Sequence, residues 1–189
     1  MSETGELQLI DYGISGICIF QMSYLASRAL RDGKTVFVEL DFMPDRTDAD
    51  VCALLMERAH STYATGKTMA QCMIGLFADK LGTALLEEAD ISPSQMCRKL
   101  EKTQAKRLAD RIKHFMVPVE ATRSFEQAQV TAGGVDTSQV HADTMESRLI
   151  KGLYFAGEML DVDGICGGFN LQWAWSSGAL AGKSAADSL

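Results

Sequence analysis

The sequence contains no G-x-G-x-x-G run, the glycine loop that usually cradles a dinucleotide diphosphate. It also lacks any apolar stretch near the ~20 residues needed to cross a bilayer. The opening residues Met1-Ser2-Glu3-Thr4-Gly5-Glu6 are polar and acidic and do not read as a signal peptide. Positive charge is scarce: 18 Lys and Arg against 25 Asp and Glu leave a formal net charge of -7. That sign opposes phosphate neutralisation, so no nucleic-acid partner is expected for the chain as a whole. Five scattered cysteines form no C-x-x-C pair, and three histidines give no zinc-like spacing with them. No metal is expected, the thiols read as reduced, and the protein reads as cytoplasmic with no membrane partner.

At 189 residues the chain is long enough for one domain or two small ones. The texture changes twice. Residues 1–45 read as strand, helix, strand. Glu6–Ile10 is extended, and Gly13–Gly16 starts a helix with Ser15 as N-cap. Asp32-Gly33 closes that helix, and Thr35–Asp41 alternates as a strand ended by Pro44. Residues 46–116 read as helical. Thr47 or Asp48 caps one helix, and others cover Met69–Phe77 and Asp79–Ala89. Ser92-Pro93-Ser94-Gln95 has the form of a capping box, and Thr103 can cap a further helix. In residues 117–189 strands return at Val117–Ala121, Ala128–Ala132, Thr144–Ser147 and Leu153–Ala156, before a last helix over Phe169–Ala186.

Two segments carry most of the chemistry. Gly152-Leu153-Tyr154-Phe155-Ala156-Gly157-Glu158 reads as a buried strand ending on a glycine and a carboxylate. Gly167-Gly168-Phe169-Asn170-Leu171-Gln172 reads as a glycine turn opening a helix, whose free N–H groups carry about half a positive charge. A carboxylate for hydroxyls and a helix N-terminus for an electron-rich edge suit flavin adenine dinucleotide. Alone, each has a plainer reading, a solvated turn or an ordinary capped helix. Asp161-Val162-Asp163-Gly164 lacks the later ligands of a calcium loop and reads as a turn whose aspartates can help hold a cofactor. Gly133-Gly134 reads either as a turn or as backbone lying against a planar ring. Cys166 reads as a small packing residue ahead of a redox one. The basic run Arg98, Lys99, Lys102, Lys106, Arg107, Arg111 and Lys113 has no interleaved aromatic residues and reads as a solvated helix face.

Six segments, taken in order, look like one family: Gly5-Glu6-Leu7, Tyr12–Gly16, Thr131–Val135, Thr144–Ser147, Gly152–Glu158, and Leu160–Gly164 with Gly167–Ala174. Together they resemble the C-terminal part of NAD(P)/FAD-dependent oxidoreductases related to aminoacetone oxidases and bile-acid dehydro-reductases. The resemblance implies an α+β fragment. Residues 1–45 would end a β insert, residues 46–116 would form a helical insert, and residues 117–189 would return to a glutathione-reductase-like FAD domain. It implies FAD as cofactor, NAD(P)H as a candidate donor and a small-molecule substrate. It puts Gly157 and Glu158 at the flavin's ribityl-phosphate side with Asp163 nearby, and Gly168, Phe169, Asn170 and Leu171 at the isoalloxazine, with Gly167 also cofactor-binding; no catalytic acid or base is named. Cys166 and Phe169 stand where that family usually shows threonine and tyrosine. A fragment of this kind is expected to hold FAD weakly, to be inactive alone and to self-associate through exposed apolar faces. The alternative is a non-enzymatic helical interaction module using residues 46–114.

Overall fold

A computed structural model describes residues 1–188. The chain divides into two compact units, one built from Met1–Thr35 with the chain from Glu120 onward, the other from Val36–Val119.

In the Val36–Val119 unit, β3 (Val36–Leu40) pairs antiparallel with β4 (Phe115–Val119), Val38 opposite Val117. Four helices lie between them: α2 (Asp48–His60), α3 (Met69–Met73), α4 (Asp79–Glu88) and α5 (Lys102–Lys113). Capping chemistry sets their starts. Thr47 Oγ1 accepts from Asp50 N–H, and Asp50 accepts in return from Thr47 N–H at 3.1 Å. Those hydrogen bonds from Thr47 hold the Asp50 carboxyl below its usual range. Thr68 and Gln71 repeat the device for α3. The apolar faces then close on Val51, Leu55, Met69, Leu85, Leu86, Leu108 and Ile112, all 3% exposed or less. Each such large aliphatic side chain stabilises by about 1.5–3 kcal/mol, so this core accounts for most of what holds the unit. Phe42 sits edge-on to Phe77 and Phe115 beneath it.

Several expectations change here. Ser92–Gln95 makes a turn rather than a helix start: Gln95 N–H bonds Ser92 O, and the Ser92 and Ser94 hydroxyls pair with each other. Gln95 spends its amide on Gln104 across the unit, so a long-range contact overrides the local signal. Position 101, not Thr103, precedes α5, with Gln104 folding back onto Glu101 N–H. The basic run is not one solvated face. Lys113 is buried, 2.6 Å from Asp41 and bonded to Met43 O and Arg46 O, and Arg107 caps α4 through Ala89 O.

The other unit opens with a hairpin, β1 (Gln8–Ile10) against β2 (Gly13–Ser15), then α1 (Ile17–Arg31). Gly13–Ser15 is therefore strand, and Gly16 rather than Ser15 precedes the helix. Gly16 has φ 113, and a Cβ there would lie 2.2 Å from Glu6 O, so only glycine lets the hairpin turn into the helix. After Glu120 regular structure is sparse. Ala128–Ala132 is not a strand, and Val140, Glu146, Ser147 and Tyr154 make only isolated bridges. A small core joins Val140, Met145 and Leu160 to Ala181 of α6 (Phe169–Asp187). No helix among the described residues is long and apolar enough to cross a membrane.

Candidate functional site

The two segments singled out in the sequence meet along the first turns of α6. Gly157 opens a short 3-10 turn, Gly157–Met159, and its N–H donates to Ser177 Oγ at 2.9 Å. The Trp173 indole N–H donates to Gly157 O at 3.2 Å. Seven residues on, Gly164 N–H donates to Asn170 Oδ1 at 2.7 Å, and Asn170 Nδ2 donates to Gly164 O at 2.9 Å. The loop between is therefore fastened to α6 at both ends. Asn170 clamps this loop with both ends of its amide rather than capping the helix. Gly168, the residue before α6, makes no side-chain cap, which leaves the first-turn N–H groups without one.

The carboxylates are held from the other side. Residues 131–135 run alongside 158–161, Val135 N–H bonding Met159 O and Asp161 N–H bonding Val135 O. Thr131 N–H donates to Glu158 Oε1 at 3.0 Å, and Gly133 N–H to Asp161 Oδ1 at 3.1 Å. Gly134 explains its own glycine without a ligand: a Cβ there would fall 2.6 Å from Met159 O and 2.8 Å from the Leu160 carbonyl carbon. Gly134 thus serves close chain-to-chain approach, whereas Gly133, at φ 98, has open space where a Cβ would lie. Asp163 lies within the field of its acidic neighbours. Burial first, then the charges of Asp161 and Glu158, push its carboxyl above the usual carboxylate range.

Gly157, Glu158, Asp163, Gly168 and Asn170 thus belong to one loop-and-helix constellation. Phe169 and Leu171 project outward, 57% and 61% exposed, and Trp175 is still more open. Cys166 is half-buried with its N–H on Gln21 Oε1 of α1, next to Gly167 at φ 121. A cavity of about 210 Å³ lies in this unit beside the groups that hold Gly157, lined chiefly by Val140, Met145, Leu160, Trp173, Ser177 and Leu180. It is smaller than the ~300 Å³ at which ligand sites begin, and none of the sequence-nominated residues lines it. It reads as loose packing of a thin core.

Sequence reasoning missed Ser177 and Trp173, the groups that position Gly157. A serine two turns inside an apolar helix was the available signal, because the residue is 2% exposed and its buried hydroxyl must find partners.

Comparison with known proteins places these elements in context. A family model described as "HI0933-like protein Rossmann domain" matches residues 42–184. The chain is 42% identical over 188 residues to a Clostridium scindens protein named 3-dehydro-bile acid delta(4,6)-reductase, covering 98% of this chain and 45% of that protein. It is 34% identical over 172 residues to the Haemophilus influenzae ribosomal RNA dihydrouridine synthase, covering 91% of this chain and 40% of that protein. A protein of the same name from Escherichia coli is 33% identical over 165 residues, covering 87% and 38%. The chain spans less than half the length of each of these relatives.

Proposed function

The chain belongs to the HI0933-like Rossmann-domain family, and on that premise we propose that it supplies the ring-binding side of a flavin site in an oxidoreductase. The observation that carries the reading is the uncapped α6 N-terminus, with the Gly157–Gly164 loop fastened beside it by Asn170 and Ser177. The donor set fits one part of FAD and not another. First-turn N–H groups favour an electron-rich ring edge by about 0.3–1 kcal/mol at such a terminus. The acidic trio Glu158, Asp161 and Asp163 suits hydroxyl groups and repels phosphate, so it fits a ribityl chain and not a diphosphate. We assign the diphosphate cradle to the portion of the relatives' length that this chain does not span.

Bound flavin supplies a hydride for transfer to carbon. The chain's own residues do the positioning. Asn170 fixes the loop, Ser177 and Trp173 fix Gly157, and the α6 terminus stabilises negative charge facing it. Asp163, whose carboxyl burial and its acidic neighbours hold above the usual carboxylate range, can accept from a ribityl hydroxyl. The names of the relatives suggest one reaction class. A 3-oxo steroid with delta(4,6) unsaturation and a uridine converted to dihydrouridine each take up two hydrogens at a carbon–carbon double bond conjugated with a carbonyl. We assign this chain to that class, reduction of an α,β-unsaturated carbonyl compound, with NAD(P)H as donor.

The test is co-expression with a polypeptide matching the portion of the bile-acid reductase that this chain does not cover. A yellow complex that reduces a conjugated enone under anaerobic conditions is the expected result. A colourless complex, or the chain alone retaining stoichiometric FAD after gel filtration, would contradict the assignment of the phosphate cradle elsewhere.

A further inference from the structure

The glycine turn that opens α6 is held by a side chain far away in the sequence. Gly164 is clamped by Asn170, and Gly168 O accepts from Gln172 N–H inside the helix. Between them, among the described residues, Cys166 alone makes a hydrogen bond. Its N–H donates to Gln21 Oε1 at 3.2 Å, a contact that spans 145 residues of chain. Gly167 and Gly168 stand at φ 121 and 92, and glycine keeps more backbone freedom than any other residue. Untethered, such a turn has no fixed path, and neither do the first-turn N–H groups that follow it.

Gln21 is itself placed by the hairpin before α1. Cys18, one turn earlier and buried, donates its Sγ–H to Glu6 O at 3.4 Å. Gly16 packs against the same carbonyl, so the two contacts set the rotation of α1. Residues three apart on a helix are neighbours on its surface, so fixing Cys18 also aims Gln21. Glutamine meets two demands there at once. Its amide oxygen accepts from Cys166 N–H, and its neutrality leaves the positive end of α6 uncompensated. A glutamate would accept equally well, but it would add a negative charge beside the electron-rich edge that the helix end favours.

Resting on the flavin reading above, we propose that Gln21 is a positioning residue of the cofactor site. It fixes the 165–168 turn so that the α6 N–H groups meet the ring, and it does so without a charge. The β1–β2–α1 segment thereby belongs to the site through one side chain, although it supplies no group that touches the flavin.

The test compares the wild-type chain with Gln21→Ala, Gln21→Glu and, on the same helix, Arg28→Gln. Each is 15N-labelled, followed by amide hydrogen exchange and then titrated with FAD at neutral pH. Gln21→Ala should speed exchange at Cys166 by roughly 2- to 10-fold and leave Gly157 exchange as in wild type. It should also shrink the FAD-induced shifts at Gly168–Leu171. Gln21→Glu should keep the Cys166 amide protected, since a carboxylate accepts at least as strongly. Its charge should nevertheless weaken FAD binding by roughly 2- to 5-fold. Arg28→Gln should change neither readout. A glutamine that served the fold alone would be replaced by glutamate without loss of affinity, so that variant separates the two roles. Unchanged Cys166 exchange in Gln21→Ala, or wild-type FAD affinity in Gln21→Glu, would overturn the proposal while leaving the flavin reading intact. Gly157 exchange accelerated as much as Cys166 exchange would also overturn it, because the loss would then be global. An absence of FAD-induced shifts in the wild-type chain would instead overturn the cofactor reading, and this proposal with it.

Discussion

Ser177→Ala tests how the loop is held against α6. Ser177 Oγ accepts from Gly157 N–H at 2.9 Å and donates to Trp173 O at 2.6 Å, four residues back on the same helix. Alanine leaves the Gly157 donor without its partner in a partly buried position, a cost of about 1–3 kcal/mol. It also removes a serine from a helix interior, which returns about 0.5 kcal/mol. The net expected destabilisation is about 0.5–2.5 kcal/mol, or about 4–8 °C per kcal/mol for a unit of this size. The chain offers a selective probe. Its two tryptophans, Trp173 and Trp175, both lie on α6, so their fluorescence follows only that unit in urea. The variant should lower the fluorescence midpoint and leave the helical unit's circular dichroism transition in place. Hydrogen exchange at the Gly157 amide should accelerate as well. An unchanged midpoint together with an unchanged Gly157 exchange rate would refute the role given to this hydroxyl.

Asn170→Ala deletes both hydrogen bonds to Gly164, so it should loosen the 157–164 loop by about 1–2 kcal/mol; faster exchange at the Gly164 amide is the readout. Asn170→Asp keeps the acceptor but turns a carboxylate oxygen toward Gly164 O, and should be as damaging at neutral pH as the alanine. Lys113→Ala leaves two loop carbonyls and Asp41 without the buried ammonium. The loss should approach about 3–5 kcal/mol in the urea transition of the helical unit, whereas Lys113→Met should recover part of it. His114 lies between Glu39 and Asp48, at 3.1 and 3.2 Å. The Glu39 hydrogen bond, ahead of the other contributions, raises its pKa above the ordinary value. A raised folded pKa stabilises fully below the unfolded value of about 6.5 and fades as pH rises through the folded one. Wild type should therefore lose stability from about pH 6.5 upward relative to His114→Gln; parallel pH profiles would contradict this.

Legibility of the fold followed the locality of the forces. The helix α6 and the strand at Val36–Leu40 were readable because each carries its own period and punctuation. Thr47 was readable because its cap partner is three residues away. Gly13–Ser15 was misread, since the hairpin partner Gln8–Ile10 is what makes it a strand. Ser92–Gln95 has every local mark of a helix start, yet Gln95 pairs with Gln104 instead. The strand expected at Leu153–Ala156 dissolves into a single bridge at Tyr154 and the one expected at Ala128–Ala132 makes none, because short apolar runs do not specify a ladder without a neighbour to pair with. At the site, Gly157, Glu158, Asp163, Gly168 and Asn170 were legible as residue types suited to a ligand. Their internal bonds were not: Glu158 to Thr131, Asn170 to Gly164 and Gly157 to Ser177 depend on how the loop folds back. Gly134 shows the same limit, its close approach being to the Met159–Asp161 backbone.

The central claim is that flavin meets this chain at the α6 N-terminus and its clamped loop. Amide chemical shifts of the 15N-labelled chain, titrated with FAD at millimolar concentration, address it residue by residue. The account predicts shifts confined to Gly157, Gly164 and Gly168–Leu171, diminished by Asn170→Ala. Shifts gathered in the helical unit, or none at saturating FAD, would contradict it.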